Sequence, residues 1–368
     1  MDREPSELRR APGHHEPLAE LNPSRGGPGT PFACTDAMKP ENTTPREELG
    51  IIGLGRMGAN LALQAIDRGL GVVGFTLGGV PQSLRTAGVA PADSLAALAG
   101  QLRRPRKIFL YIPSGEAVDR LIDELTPHLA PGDVIADGGN SYWGDSIKRF
   151  QKVQPTGIHF VDLGTSGGLL GARNGACFMA GGERPTVQLV EPILRKLSVE
   201  GGYTYAGPPG AGHFTKLVHN GIEYGMLEAI GEGVAMLSHH KDKLDIEPIL
   251  QCWRNGSVIR SWLIDLLAEA YREDRGFERV SSYVDDTGEV NWLVADAMRM
   301  EVPVPVIAQS VMQLLESREA DNESGRAIAM MRHGFGGHAY GPNEPARAER
   351  VRGRDQELSA ESPPGRPA

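Results

Sequence analysis

Short apolar runs alternate with amphipathic stretches along residues 48–210 of the chain. Within the amphipathic stretches, apolar side chains recur about every three to four positions, as expected of helices packed on a core. This alternation of strand and helix predicts an α/β domain with a doubly wound, mainly parallel sheet and helices on both faces. The predicted strands are Leu49–Gly53, Gly71–Thr76, Lys107–Ile112, Asp133–Asp137, His159–Leu163 and Cys177–Gly181, and the predicted helices between them include Met57–Arg68, Ala117–Leu129 and Thr186–Leu197.

Residues 211–339 carry helical periodicity alone, so we expect an all-helical C-terminal domain there. The boundary is expected near Gly210–Gly212, in a loop rich in glycine and proline. Residues 1–47 and 340–368 are rich in proline, glycine and charge and lack periodicity, which predicts disordered ends. The predicted helices of the second domain are Leu227–Leu237, Ile246–Trp253, Val258–Ala270, Trp292–Met300 and Ile307–Leu315.

Composition narrows the classes of partner that the chain is expected to bind. A net charge of −9 and an aromatic content of 6% argue against nucleic acid, and the charge also argues against an anionic membrane surface. No apolar run approaches the ~20 residues that a membrane span requires. Cys34, Cys177 and Cys252 are widely spaced and form neither a disulfide framework nor a zinc pattern. We therefore expect a reduced, cytoplasmic protein without a metal.

The segment from Gly53 to Gly58 fits the fingerprint of dinucleotide-binding domains. Gly53 permits a tight turn, Gly55 lets the backbone approach a pyrophosphate, and Gly58 allows close contact between helix and strand. Three glycines alone are weak evidence, but these follow an apolar strand and open a helix, as the fingerprint requires. The first domain is therefore predicted to be a Rossmann-type domain that binds NAD or NADP. The residues of the fingerprint are Gly53, Leu54, Gly55, Arg56, Met57 and Gly58.

The choice between NAD and NADP stays open at this stage. The second strand should end in an acid that binds the ribose of NAD, but it ends in Thr76. No arginine follows directly to bind the 2′-phosphate of NADP, and Arg85 is the nearest one. The other residues expected to contact the cofactor lie at or after the end of a predicted strand: Ile112, Pro113, Ser114 and Asn140.

A polar strip on one predicted helix after Gly210 is the best candidate for catalysis. At ~100° per residue, Lys216, Asn220 and Glu223 lie within one third of the helix circumference, flanked by other polar side chains. Solvated faces usually carry Glu–Lys pairs four residues apart and few Asn, His or Gly residues. A lysine that is partly desolvated in a cleft can act as a base, so we favour a catalytic strip. The flanking residues are His213, His219 and Tyr224.

Three further segments are suited to the same cleft. Asn140 follows a predicted strand, at the edge where doubly wound sheets bind ligands. The loop with Ser166, Gly167 and Gly168 offers a hydroxyl and backbone amides to a carboxylate. The segment from Arg332 to His338 places a cation and an imidazole on a glycine-rich stretch that is expected to be unsuited to a helix. Each could be a surface loop, but together they favour one ligand site.

These residues resemble the decarboxylating 6-phosphogluconate dehydrogenases in their short bacterial form, from about Leu49 to His338. The most specific string is K-L-V-H-N-G-I-E-Y, from Lys216 to Tyr224. Related 3-hydroxyacid dehydrogenases share the lysine but lack the Glu-Tyr pair. The other matching segments are Gly53–Asn60, Asp137–Ser141, Ser166–Gly168 and Arg332–His338.

The resemblance implies a mechanism as well as a fold. Lys216 would take the proton of the C3 hydroxyl during hydride transfer and return it to the enolate oxygen after loss of CO2. Glu223 would then protonate C1 to give ribulose 5-phosphate. Arg332 and His338 would reach the site of a neighbouring subunit, which implies a homodimer or homotetramer. The residues implied to hold the sugar acid are Asn140, Ser166, Gly167, Gly168, His219, Asn220, Tyr224, Arg332 and His338.

Two positions depart from the pattern of the family. Asn291 precedes Trp292 where the family usually carries Lys or Arg, and Gln313 stands where the family has an Arg. Both positions are implied to contact the substrate phosphate. Two alternatives therefore stay open: the same chemistry on another sugar acid, or a weakly active paralogue that binds a dinucleotide. The intact Lys216 and Glu223 count against the second alternative.

Overall fold

A computed structural model describes residues 47–286, 288–319 and 321–342 of the chain, apart from the side chain of Phe335. The predictions for residues 1–46 and 343–368 lie outside these ranges, as does Cys34. Within the described residues, no helix combines the length and the apolar character that crossing a membrane would require.

Eight strands between residues 48 and 207 form one mainly parallel sheet. The strand order is β3-β2-β1-β4-β5-β6-β7-β8, and only the pairing of β6 with β7 is antiparallel. The strands are β1 Glu48–Ile52, β2 Gly71–Phe75, β3 Ala90–Pro91, β4 Lys107–Leu110, β5 Val134–Asp137, β6 His159–Ser166, β7 Ala176–Gly181 and β8 Ser198–Gly207.

Helices cover both faces of this sheet and then continue alone to the end of the described chain. The two faces carry separate cores: α1 and α7 pack on one through Leu61 and Val190, and α3 and α4 pack on the other through Leu98 and Ile122. The predicted fold class is confirmed. The helices are α1 Arg56–Asp67, α2 Gln82–Thr86, α3 Leu95–Gln101, α4 Glu116–Leu125, α5 Trp143–Val153, α6 Gly168–Asn174, α7 Arg184–Leu197, α8 Ala211–Ser238, α9 Ile246–Arg254, α10 Trp262–Asp274, α11 Glu289–Arg299, α12 Pro305–Glu316 and α13 Glu323–Gly336.

The long helix α8 is fixed to the sheet at its first turn. Asp162 on β6 is fully buried, and its carboxylate accepts hydrogen bonds from Gly210 N (2.8 Å) and His213 N (2.9 Å). Those amides belong to a helix N-terminus, which has no backbone partners for them and which favours a negative charge. Gly212 lies so close to β6 that a Cβ there would overlap the carbonyl of Asp162. The start of α8 is therefore held directly against the strand that ends at Ser166.

Two small clusters join the other helices to α8. Leu217 packs with Val290, Leu293 and Val311, which come from α11 and α12. Further along, Val234 packs with residues of α9 and α10. In the helical half of the chain, residues 211–336, the other helices therefore pack with α8 in two small clusters rather than around one large core.

Two strands were missed, and the bounds of two predicted helices need correction. Strands β3 and β8 were not predicted; β3 is only two residues long, and glycines at 201 and 202 interrupt the apolar alternation of β8. The predicted helix Ala117–Leu129 ends at Leu125 and continues as a 3₁₀ turn with Pro127 in it, because proline removes a helical N–H. The helix predicted from Val258 begins at Trp262, where the Ser261 hydroxyl accepts from Ile264 N.

The segment around Arg332 was predicted to be unsuited to a helix, and that prediction is wrong. It forms the last turns of α13, which begins where Asn322 Oδ1 accepts from Gly325 N at 2.9 Å. Good helix-forming residues between Arg326 and Arg332 continue the helix, and two late glycines cost only about 1 kcal/mol each. Gly337 then ends it in the left-handed conformation with φ +64°, as glycine commonly does.

Candidate active site

The predicted dinucleotide loop lies at the carboxyl end of β1 and opens α1. Gly53 has φ +92°, and a Cβ there would overlap the backbone of Tyr111. A Cβ at Gly58 would overlap the carbonyl of Gly53, so this glycine lets α1 pack against the turn. By contrast, the space beside Gly55 is open, and no side chain caps the helix there. The loop thus leaves room and free helix N-terminal amides for a pyrophosphate, which fits a bound dinucleotide.

The other predicted cofactor residues lie at the same edge of the sheet. Strands β1, β2, β4 and β5 are parallel and adjacent, so the segments after their carboxyl ends lie side by side. Thr76 directly follows β2 and accepts from Gly79 N in a turn. Residues 112–114 follow β4, and Asn140 follows β5. The sheet therefore brings all the predicted cofactor residues to one edge.

A buried arginine, which was not predicted from the sequence, joins two of these segments. Arg149 on α5 is 2% exposed, and its guanidinium donates to Gly115 O (3.0 Å), Asp137 Oδ2 (3.1 Å) and Ser141 Oγ (3.1 Å). It also bonds Asp119 at 2.7 Å, and this ion pair lowers the pKa of the Asp119 carboxyl. Arg149 therefore holds the loop after β4 against the loop after β5. An arginine in an amphipathic helix gives no sequence signal of burial.

The polar strip of α8 faces the end of β6. Lys216 Nζ lies 3.5 Å from His219 Nδ1, and His219 Nε2 lies 3.0 Å from Ser166 Oγ. The same Nδ1 is 3.8 Å from a carboxylate oxygen of Glu223. Gly164 on β6 is required for this approach, because a Cβ there would lie 2.6 Å from Lys216 Cβ. The geometry places His219 between the two candidate proton-transfer groups.

A buried carboxylate of α11 joins the strip to the cofactor edge. Glu289 Oε1 accepts from Asn140 Nδ2 at 2.6 Å and from Asn220 Nδ2 at 3.1 Å. Asn220 Oδ1 in turn lies 3.2 Å from His219 Nδ1. Glu289 was missed because the predicted helix began at Trp292, whereas the observed one begins at Glu289, directly after Gly288. An acidic residue directly before a periodic apolar run is typical of the first turn of a helix, and this is the signal that could have found Glu289.

Burial and neighbouring charges shift the pKa values of Lys216 and His219 in the strip. Burial lowers the pKa of Lys216, while the nearby Glu223, Glu289 and Cys177 act in the opposite direction. Burial also lowers the pKa of His219, and Lys216 adds to that effect. A buried amine with a lowered pKa is more readily neutral, which is the form that can accept a proton.

Two further predicted residues border the strip. Gly167 and Gly168 have φ +111° and +56° at the start of α6, a conformation that favours glycine. The hydroxyl of Tyr224 lies 3.5 Å from Asp286, and Asp286 accepts from Arg318 at 2.8 Å. Burial and neighbouring carboxylates raise the pKa of Tyr224, so it remains a neutral donor. Like Arg149 and Glu289, Arg318 is a charged residue near the site that was not in the predicted set.

Several candidate residues are not brought to the strip. His213 is buried beside Ser146, whose hydroxyl lies 2.7 Å from its Nδ1, so it belongs to the interior rather than to the site. Arg332 and His338 lie on an exposed segment at the end of α13. In the described part of the chain, the side chains of the strip bond Ser166 on β6, Glu289 on α11 and Asp286, and Arg332 is not among these partners.

Asn291 and Gln313, at the two positions that depart from the family pattern, lie on α11 and α12. Asn291 is exposed in the first turn of α11, and Gln313 is half-buried. Within the described residues, no group of three or more His, Cys, Asp or Glu side chains is placed to hold a metal ion.

Comparison with known proteins assigns a family to both parts of the chain. Residues 48–207 match the NAD binding domain of 6-phosphogluconate dehydrogenase. Residues 212–327 and 239–351 match the C-terminal domain of 6-phosphogluconate dehydrogenase in two overlapping alignments.

Individual relatives carry the same name. The Bacillus subtilis protein YqeC, named provisionally as a 6-phosphogluconate dehydrogenase, is 41% identical over 293 residues, which cover 79% of this chain and 98% of YqeC. An NAD(+)-dependent, decarboxylating 6-phosphogluconate dehydrogenase of Haloferax volcanii is 39% identical, over 79% of this chain and 97% of that protein. Among solved structures, the Plasmodium falciparum 6-phosphogluconate dehydrogenase, studied with its cofactor NADP+, matches with a TM-score of 0.69 and 28% identity, over 80% of this chain and 67% of that one. The chain therefore belongs to the 6-phosphogluconate dehydrogenase family.

Proposed function

We propose that the protein oxidises and decarboxylates 6-phospho-D-gluconate to D-ribulose 5-phosphate and CO2, with reduction of NAD or NADP. The observation that carries this proposal is the α8 strip, where Lys216 and Glu223 flank His219 beside Ser166. A single helix thus presents a base and an acid to one substrate, at the edge of a dinucleotide-binding sheet. Family membership supplies the substrate and the reaction.

In the oxidation step, neutral Lys216 accepts the proton of the C3 hydroxyl. NAD or NADP supplies, when bound, a nicotinamide ring that accepts the hydride from C3. The burial that lowers the pKa of Lys216 supports this role, because it increases the fraction of neutral amine near neutral pH. The product of this step is a 3-keto acid and a protonated Lys216.

In the second step, the bond between C1 and C2 of the keto acid breaks and CO2 leaves. Electron density moves to the C3 oxygen, which becomes an enolate, and Lys216 returns its proton to that oxygen. Glu223, acting as an acid, then protonates the carbon that becomes C1 of ribulose 5-phosphate, and Lys216 takes back the proton as the ketone forms. The position of Glu223, one helical turn from His219, supports a role beside the same substrate atoms.

The substrate carboxylate and hydroxyls are proposed to bind along the same cleft. Ser166 and the backbone of the two following glycines are suited to the carboxylate, because their N–H and O–H groups are donors. His219 is held neutral by its lowered pKa and can hydrogen-bond a hydroxyl. The other residues that we propose to contact the sugar acid are Asn140, Asn220, Tyr224, Arg332 and His338.

We further propose that two copies of the chain form a homodimer, with Arg332 and His338 completing the partner's site. Helix α13 has no buried residue among its described positions, although Ile328, Met330 and Met331 are large and apolar. Helices α8, α10, α11 and α12 expose further apolar side chains. An exposed apolar surface of this kind favours burial against a second copy of the chain. A cytoplasmic location is proposed from the spacing of the cysteines alone.

Absorbance of the reduced nicotinamide at its characteristic wavelength tests the proposed activity. We expect turnover with 6-phosphogluconate in the presence of NAD or NADP, each tried separately, and release of CO2 in equal amount. Glu223→Gln should reduce kcat by at least ~10²-fold, because it removes the proposed acid, and should change KM much less. Oxidation without CO2 release, or a steep rise in KM at unchanged kcat, would contradict the assigned roles.

A second candidate is the same chemistry on a different sugar acid. Asn291 and Gln313 favour it, because neither supplies the positive charge expected at the phosphate of the substrate. Gluconate and other unphosphorylated sugar acids, compared with 6-phosphogluconate by kcat/KM at one ionic strength, distinguish the two. A higher kcat/KM for an unphosphorylated acid would select this second candidate.

A further inference from the structure

Glu289 is the carboxylate to which both parts of the site are bonded. It is 8% exposed and occupies the first position of α11, where the helix dipole favours a negative charge. Its Oε1 accepts from Asn140, which follows β5 of the sheet, and from Asn220 on α8. One oxygen atom thus fixes two amides from different parts of the molecule.

The direction of these hydrogen bonds extends to the imidazole. An amide whose Nδ2 donates to a carboxylate must present its Oδ1 on the other side. Asn220 Oδ1 lies 3.2 Å from His219 Nδ1, so that nitrogen carries the hydrogen. His219 Nε2 then accepts from the Ser166 hydroxyl at 3.0 Å. The chain of donors Ser166, His219 and Asn220 therefore ends on Glu289.

We propose that Glu289 is a positioning residue for the reaction, which orients Asn140, Asn220 and, through Asn220, His219, and places a negative charge beside Lys216. This inference rests on the proposed function of the strip. Glu289 itself acts through other side chains, and no contact of it with the substrate is needed.

The charge of Glu289 has a separate, measurable effect on Lys216. The titratable groups that face Lys216 are His219 and Glu223 on α8, Cys177 on β7 and Glu289 on α11. Glu223, Glu289 and Cys177 raise the pKa of Lys216 against the effect of burial. Removing the charge at 289 should therefore lower this pKa, so that Lys216 loses its proton at lower pH.

Asp296 offers a matched control on the same helix. It lies seven residues after Glu289, is 2% exposed, and also accepts from the segment after β5: from Tyr142 OH at 3.0 Å and Trp143 Nε1 at 2.7 Å. It also pairs with Arg299. Asp296 therefore joins the same two elements as Glu289 does, but it lies outside the strip. A purely structural role of Glu289 would give it the phenotype of Asp296.

The experiment compares Glu289→Gln, Glu289→Asp and Asp296→Asn by the pH profile of kcat/KM and by thermal unfolding. For Glu289→Gln, we expect the acid limb to move to lower pH by about half to one unit, and kcat to fall roughly tenfold or more because the amides are reoriented. Glu289→Asp keeps the charge but shortens the reach, so kcat should fall while the acid limb stays near that of the wild type. Asp296→Asn should lower the unfolding temperature without moving the limb.

A readout that needs no turnover separates this inference from the proposed function. Trace acetic anhydride reacts with neutral amines, so the pH dependence of Lys216 acetylation, followed by peptide mass spectrometry, reports its protonation. Exposed Lys241 serves as the internal reference. The midpoint should move to lower pH in Glu289→Gln and stay in the other two variants, whatever the substrate is. An unmoved midpoint in folded Glu289→Gln would overturn the inference; should that variant not fold, a kcat in folded Glu289→Asp equal to that of the wild type would overturn it.

Discussion

The two halves of the molecule differ in how completely they bury their own apolar residues. In the nucleotide-binding half, residues 48–207, side chains such as Ile108, Val118 and Leu194 are fully buried on the two faces of one sheet. In the helical half, the buried residues form two small clusters around α8. Most of the large apolar side chains that stay exposed in the described chain lie in α8 or in the helices and loops that follow it.

This difference indicates what each half needs for stability and function. A sheet covered on both faces has a closed core and presents only its carboxyl edge to a ligand. The helical half leaves a large apolar surface, which monomeric proteins seldom do. The nucleotide-binding half buries its own core, and the exposed apolar surface of the helical half supports the homodimer proposed above.

The largest effect expected is that of Lys216→Met, which should separate catalysis from cofactor binding. Lys216 lies on α8, while the cofactor segments lie on the edge of the sheet. The variant should lower kcat by ~10²–10⁴-fold, the usual contribution of a general base, and leave the Kd for NAD or NADP unchanged. Stopped assays for product and fluorescence titration of the cofactor measure the two effects.

Lys148→Met is the matched control for this prediction. Lys148 is an exposed lysine on α5, paired with Asp145 at 2.9 Å, and it belongs to the nucleotide-binding half. It should retain the activity of the wild type. More than about a tenth of wild-type kcat in Lys216→Met would contradict the role of Lys216 as base.

The second prediction tests the difference in exposed apolar surface. Ile328 on α13 is 52% exposed and Leu77 after β2 is 99% exposed. In a symmetric dimer, Ile328→Glu removes one buried isoleucine from each subunit, so it should weaken the dimer by about 3–6 kcal/mol. This loss corresponds to a roughly 10²–10⁴-fold higher Kd of the dimer. Leu77→Glu adds the same charge to the other half and should leave the mass unchanged. Sedimentation velocity over a range of concentrations measures both; equal masses for the two variants would remove α13 from the interface.

The same difference explains which parts of the fold could be predicted from the sequence. Buried strands such as β1 and β5 can be recognised in the sequence as apolar runs, because both faces of a parallel sheet are covered. Strand β8 was missed because glycines 201 and 202 interrupt its alternation. Helix α13 was missed because the glycines of its last turns suggest a loop, although they only reduce helix stability modestly. Local sequence thus predicts the elements that pack within the chain better than those at its margins.

The site was predictable where its residues share one element or, like Asn140 and Ser166, lie at or after the end of a strand. Lys216, Asn220 and Glu223 are three and four residues apart on a helix, so their common face follows from its period. Arg149 and Glu289 act on residues of distant segments, and only the tertiary structure shows which charges are buried and which partners they have. His213 shows the opposite case: it shares the helix with the strip but faces Ser146 in the interior.

A smaller effect is expected from restoring a cation near the substrate phosphate. Asn291 is exposed in the first turn of α11, so a longer side chain can be accommodated there. Asn291→Arg should lower KM for 6-phosphogluconate roughly tenfold at similar kcat, since a hydrogen bond to a charged group contributes about 1.5–3 kcal/mol. Asn255→Arg, which adds the same charge after α9, should change KM little. Equal effects of the two substitutions in steady-state kinetics would indicate general electrostatic attraction instead of a phosphate contact.

The last prediction concerns the exposed position of Arg332 at the end of α13, which the proposal assigns to the partner's site. If that is so, Lys216→Met and Arg332→Ala should each be inactive alone and regain activity after subunit exchange. A mixed dimer has one site with both defects and one site with neither, so random pairing gives about a quarter of the sites intact. Mixing Lys216→Met with Glu223→Gln is the control, because both residues lie on α8 of one chain and every site of a mixed dimer keeps one defect. Recovery in the first mixture alone, measured after exchange is shown by mass spectrometry of differently labelled subunits, supports a shared site. No recovery in either mixture would place Arg332 in the site of its own chain, and the helical half would then need its partner for stability alone.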